Sequence, residues 1–149
     1  MKVEDLKIYT ISLEISNEVW RMVMKWDYFA RSTIGKQLVR AADSVPANIS
    51  EGFGRYHYKE EKQFLYYARG SLEESKTFIS MAFSRGLIEK VMYDSLISEL
   101  DILGRRLNSF INAIGKIPNN QQPTTNNQQP TTNNQQPTTN NQQPTTSNQ

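Results

Sequence analysis

The chain has 149 residues, with 17 Lys and Arg against 15 Asp and Glu, a net charge of +2 and no cysteine. That composition excludes disulfide scaffolds, cysteine-ligated zinc or iron–sulfur sites and cysteine nucleophiles, and so small a charge does not by itself imply nucleic acid. Every charged residue lies between Lys2 and Lys116, which divides the chain into one domain, residues 1–117, and an uncharged extension, residues 118–149.

Within the domain the apolar spacing is helical throughout. Ile8, Ile11, Ile15, Val19, Met22 and Trp26 place a first helix over about 5–26. Ile34, Leu38, Ala41, Ala42, Val45, Ile49 and Phe53 share one face of a second, about 32–52, with Asp27 or Ser32 as its cap. Pro46 falls inside that pattern and removes an amide, which predicts a kink but no break, because Ile49 and Phe53 stay in phase. Gly52 and Gly54 are expected to loosen the chain after it. Leu65, Ala68, Leu72, Ile79 and Ala82 mark a third helix over about 58–85, starting without a good cap at Tyr56-His57-Tyr58 and ending at Gly86. Tyr93, Leu96, Leu100, Leu103, Leu107, Phe110 and Ile114 draw one continuous seam on a fourth, about 89–115, which Pro118 stops. Short connections force neighbours antiparallel. The expected fold is an all-α, antiparallel up-and-down four-helix bundle.

From Asn119 the unit Asn-Asn-Gln-Gln-Pro-Thr-Thr runs four times without error to Thr146. It offers nothing apolar to offset the entropy of ordering, and Pro123, Pro130, Pro137 and Pro144 interrupt any helix or ladder. A disordered low-complexity tail is expected. It reads as a linker-like extension, or as a self-associating Gln/Asn segment, against which each Pro argues by blocking cross-β stacking. No run in the chain approaches the ~20 apolar residues of a membrane span, and Met1–Thr10 has no signal-peptide core. A cytoplasmic protein without membrane contact is the expectation.

A polar stripe on the second helix needs its own account. Gln37, Arg40, Ser44, Asn48, Glu51 and Arg55 follow one position behind the core stripe, and Gly70, Ser71 and Glu74 stand on the third helix. Two readings are open. One is a solvated flank. The other is a partly buried polar network joining the two helices or two subunits, because Asn and Ser are indifferent helix formers. Gly70 would admit a second backbone closely.

The string Gln-Leu-Val-Arg-Ala-Ala-Asp-Ser-Val-Pro-Ala-Asn-Ile-Ser-Glu-Gly-Phe-Gly-Arg from Gln37 to Arg55, with Phe-Leu-Tyr-Tyr-Ala-Arg-Gly-Ser-Leu-Glu-Glu from Phe64 to Glu74, resembles the bacterial 23S rRNA intervening-sequence proteins. The resemblance spans about residues 5–115. It implies a small helical bundle, in some members encoded inside intervening sequences of large-subunit rRNA genes, and assembly as a ring-like homopentamer. It implies no catalysis and no cofactor. A more distant similarity links the family to accessory proteins of diversity-generating retroelements, basic pentamers that bind nucleic acid and a reverse transcriptase. Three positions depart from the family pattern, His57, Glu61 and Leu87, and all touch loops or the start of the third helix.

An enzyme fares poorly on chemistry. His57 is the lone histidine, which excludes a conventional di-iron bundle with its paired Glu-x-x-His motifs. Gly52-Phe53-Gly54 begins like a dinucleotide fingerprint, but His57 stands where the third Gly belongs and no strand precedes it. The charge map favours binding instead. Residues 31–69 carry Arg31, Lys36, Arg40, Arg55, Lys59, Lys62 and Arg69 against Asp43, Glu51, Glu60 and Glu61, a local excess that a ring of subunits would multiply. Arg31, Lys36, Arg55, Lys59, Lys62 and Arg69 are therefore the candidate phosphate contacts. Aromatic residues exceed what one small core can hold. Among Trp20, Trp26, Phe29, Tyr66, Tyr67, Phe78 and Phe83, some are expected outside, for subunits to bury. The expected function is a non-enzymatic homo-oligomer serving as a binding or accessory module for RNA, DNA or a nucleic-acid-processing partner such as a reverse transcriptase. The alternative is a protein–protein scaffold without nucleic-acid affinity.

Overall fold

The structure, a computed structural model, describes residues 1–116. The repeat tail and Pro118, with the disorder and the helix stop expected of them, lie outside the described residues. Four long helices carry the fold: α1 (Lys7–Val23), α2 (Lys36–Phe53), α3 (Tyr58–Ser84) and α4 (Lys90–Ala113). There is no strand among the described residues. Each helix packs principally against two others, in the cyclic order α1, α2, α3, α4 and back to α1, and the connections at 24–27, 54–57 and 85–89 reverse the chain each time. The result is the expected up-down-up-down bundle.

The α4 seam is the floor of the core. Leu96, Leu100, Leu103 and Leu107 are fully buried, and the seam continues to Ile111, leaving Phe110 and Ile114 at the margin. Val19, Leu38, Ile49, Leu65, Leu72 and Ile79 meet it from the other helices. Each such side chain contributes about 1.5–3 kcal/mol by leaving water. Only serines interrupt this apolar interior. Ser12 donates to the Tyr9 carbonyl at 2.7 Å, Ser75 to the Ser71 carbonyl at 2.8 Å, and Ser16 to the Asp43 carboxylate, tying α1 to α2.

Helical chain begins before α2, at Tyr28. Asp27 is the cap, its side chain accepting from the Ala30 amide at 3.0 Å, while Ser32 lies inside the helical run and donates to the Phe29 carbonyl. Between the α turn Tyr28–Ala30 and α2 the chain forms a π-helical stretch, Arg31–Gly35. The wider turn absorbs an extra residue, so Ala30, Ile34, Gly35 and Leu38 all face inward. Gly35 is required there, because a Cβ would stand 2.7 Å from Val23 Cγ1 and 3.0 Å from the Ala30 carbonyl oxygen. Helix α2 then passes unbroken through Pro46, which is itself buried.

The glycines at the α2–α3 junction differ from expectation. Gly52 does not loosen the chain: it is helical and buried, and a Cβ on it would lie 3.1 Å from both the Glu61 carbonyl oxygen and Phe64 Cβ. The close backbone approach expected at Gly70 is found here instead. Around Gly70 a Cβ would meet nothing within 4 Å, since this residue sits on the open side of α3. The other end of α3 closes as expected, with Gly86 at φ +73°, its amide bonded to the Phe83 carbonyl and the Leu87 amide to the Ala82 carbonyl. Leu87 packs against the core, as the residue after such a turn commonly does.

Candidate functional site

The six cations expected to meet phosphate do not form one patch within the chain. Arg31 and Lys36 lie where α2 begins, and Arg55 follows its end. The 18 residues of α2, at 1.5 Å each, set Lys36 and Arg55 at opposite ends of a helix roughly 27 Å long. Arg55, Lys59, Lys62 and Arg69 do gather, along the α2–α3 turn and the first three turns of α3.

Their environments differ. Arg55 is engaged twice, paired with the Glu51 carboxylate and stacked over the Phe64 ring at 4.7 Å. Lys59, Lys62 and Arg69 make no ion pair among the described residues. Arg69 lies over the Tyr66 ring at 4.9 Å and donates to Asn108 Oδ1 on α4 at 3.2 Å. Glu61, half-buried behind this strip, is held above the ordinary carboxyl value by loss of hydration. His57 is exposed at the start of α3 and caps nothing, although its ring meets Tyr56 edge-on at 5.1 Å. Further along α3, Lys76 is bound to Asp101 of α4 at 2.7 Å, and that bond first, then Glu73, raises its pKa.

The polar stripe on α2 satisfies itself. Ser44 donates to the Arg40 carbonyl at 2.7 Å, Asn48 Nδ2 to the Ser44 carbonyl at 2.8 Å, and Glu51 pairs with Arg55. Gln37, Arg40 and Glu51 are exposed, and Ser44 and Asn48 half-buried. None of them hydrogen-bonds to Ser71 or Glu74, so the network joining the two helices is not made within the chain. The bonds run along the helix because a short polar side chain reaches its own i−4 carbonyl before it reaches a neighbour.

Of the surplus aromatics, Trp20, Phe29, Tyr66, Tyr67 and Phe83 are exposed; Trp26 is buried and Phe78 packs at the core margin. Trp20, Met22, Met24 and Met92 line one shallow apolar cleft beside Arg21, Lys25 and Glu18. Sequence reasoning missed Tyr58, which is 49% exposed and lies on the same face as Lys62, Tyr66 and Arg69. The signal was the spacing of those residues, 4, 4 and 3. It also missed a carboxyl pair between α1 and α4. Glu99 Oε2 is buried without a hydrogen-bond partner. Burial first, then Glu18 and Glu14, raise the Glu99 carboxyl above its ordinary value.

Among the described residues no group of three or more His, Asp or Glu side chains could hold a metal ion, and no helix is long and apolar enough to cross a membrane.

The fold recurs in a crystal structure of a protein with unknown function, from the S23 ribosomal protein family, of Bacteroides thetaiotaomicron VPI-5482. That chain is 19% identical and superposes with a TM-score of 0.64 over 70% of this chain and 97% of its own. At that identity the likeness is one of fold alone. No curated protein matches the chain. The sequence model of the 23S rRNA-intervening sequence proteins matches residues 4–109, from just before α1 to the last turns of α4, and the chain belongs to that family.

Proposed function

We propose that this protein is a non-enzymatic, self-assembling helical bundle that binds nucleic acid through phosphate contacts and serves as an accessory module for an RNA- or DNA-processing partner, a reverse transcriptase being one candidate. The observation that carries the reading is the strip of cations at the start of α3: Lys59, Lys62 and Arg69 have no acidic partner among the described residues, while further on Lys76 is held by Asp101 and Glu73 and Lys90 by Asp94. Cations left without a carboxylate can exchange counterions for phosphates. Assembly belongs to the proposal, as a homopentamer by the family resemblance. It would multiply the strip around a ring and cover apolar surface such as the cleft at Trp20, Met24 and Met92. Cytoplasmic residence suits a chain with no cysteine to oxidise.

The test is binding of the full chain to labelled single-stranded and duplex nucleic acid, with light scattering to fix the assembly. Affinity is expected to fall steeply between about 50 mM and 200 mM salt, and Lys59→Glu with Lys62→Glu to weaken binding to all sequences alike and flatten the salt slope. An assembled oligomer that binds neither strand form in the low-salt buffer would transfer the function to the apolar cleft and a protein partner. A stable monomer at tens of micromolar would remove the assembly.

A further inference from the structure

We infer that the first three turns of α3 form a strip for single-stranded nucleic acid, in which Tyr58 and Tyr66 stack on unpaired bases while Lys62 and Arg69 hold phosphates between and beyond them. The inference rests on the nucleic-acid reading above and names the form of ligand it takes.

Register comes first. Tyr58, Lys62, Tyr66 and Arg69 are spaced 4, 4 and 3, so they rise along one face of α3, while Leu65, Ala68 and Leu72 turn to the core. Aromatic and cation alternate along that face. The two tyrosines are 49% and 41% exposed, and at Tyr66 the Arg69 guanidinium covers one ring face, which leaves the other for a base. Such alternation of stacking platforms with charges that track a backbone suits single strands and is tolerant of sequence.

The strip is pre-arranged. The Arg69 guanidinium is fixed from two sides, over the Tyr66 ring at 4.9 Å and against Asn108 Oδ1 at 3.2 Å, so its remaining donors are offered without first losing rotamer freedom. Glu60, two residues before Lys62, falls on nearly the opposite side of the helix at about 100° per residue. The strip also has an end: Glu73 occupies the next position on this face, and Lys76 beyond it is taken by Asp101.

Access to the base faces selects the strand form. Tyr58 and Tyr66 are eight residues apart, roughly 12 Å along the helix. That lies between three and four steps of a strand at about 3.4 Å each, within reach of a short oligonucleotide, and a ring can stack only on a base whose face is not already covered by its neighbours. A duplex hides its base faces, and it would engage Lys62 and Arg69 but neither ring.

Anisotropy of the full chain with a short unstructured oligonucleotide and with a blunt-free hairpin duplex of the same charge decides the matter. The single strand is expected to bind at least about 5-fold tighter than the duplex. Tyr58→Ala and Tyr66→Ala should each weaken it by about 5-fold or more, the low end of one stacked base, with duplex binding unchanged. Tyr66→Phe keeps the ring and should keep the affinity; Lys62→Ala should weaken both forms. Equal affinity for the two forms, or tyrosine variants that bind single strands like wild type, would overturn the strip and leave phosphate binding in place. Absence of binding to either form would remove both.

Discussion

Replacing Gly70 with Ala is expected to stabilise the bundle, although Gly70 lies in the motif that carries the family resemblance. The residue sits inside α3, exposed, and a Cβ there meets no heavy atom within 4 Å. Nothing among the described residues opposes the methyl group. What remains is the backbone term: Gly in a helix interior costs roughly 0.8–1.0 kcal/mol relative to Ala, through the freedom it must surrender on folding. An unfolding entropy of about 2.1 cal/mol/K per residue over the described domain gives about 0.24 kcal/mol/K, so the gain corresponds to a rise in Tm of roughly 4 °C. Gly35→Ala is the control. Its Cβ would stand 2.7 Å from Val23 Cγ1 and 3.0 Å from a backbone oxygen, contacts tight enough to force α1 and the π-helical stretch apart. Overpacking of that kind costs about 1–3 kcal/mol, which consumes or exceeds the same backbone gain. Far-UV circular dichroism melts at one fixed protein concentration compare the three chains. A Gly70→Ala protein that melts at or below wild type refutes the reasoning. If that loss came with smaller particles in light scattering, the space beside Gly70 would belong to a second copy.

Two further outcomes concern the carboxyl pair and the polar stripe. Glu99 holds its proton more tightly in the folded state than the ordinary value of 4.5 allows, so the folded chain binds more protons than the unfolded one and stability falls as pH rises through the raised value. Glu99→Gln removes the charge while leaving a donor for Glu18; its urea midpoint should exceed that of wild type at about pH 7 and approach it at about pH 4, and parallel curves would exclude the pair as the cause. Asn48→Leu should shift the urea midpoint by less than about 0.5 kcal/mol equivalent, because Asn48 bonds only to a carbonyl of its own helix. A loss of about 1–3 kcal/mol would restore a buried partner, supplied by another subunit.

The bundle was legible because its signal is redundant. The seam through Leu96, Leu100, Leu103 and Leu107 repeats every turn, and one misread residue cannot move it. The π-helical stretch was hidden for the converse reason: a single extra residue between Ala30 and Leu38 still leaves Ala30, Ile34 and Leu38 at the ordinary helical spacing of 4 and 4. Gly52 and Gly70 show a second limit. Both are helical glycines in the same motif, and only the chain that packs beside each decides which is a close approach and which is open. In the stripe, an i−4 bond to the backbone and a bond to a neighbouring helix demand the same residue types at the same spacing, so Ser44 and Asn48 could not announce their partners. The cations were counted along the sequence, where Lys36 and Arg55 are close, but the length of α2 carries them to opposite ends of the bundle.

The cyclic packing order has a kinetic meaning. Helices α2 and α3 share the most extensive interface and are joined by a tight turn, whereas α1 and α4 share the least extensive of the four and come from opposite ends of the domain. Closing the first pair costs little loop entropy and returns much burial; closing the last costs more and returns less, with two carboxyls brought together in the process. The α2–α3 hairpin is thus the expected nucleus, to form early and open late. The α1–α4 seam is where the closed bundle is expected to open first, so that opening along that line would leave the face that carries Tyr58 to Arg69 intact.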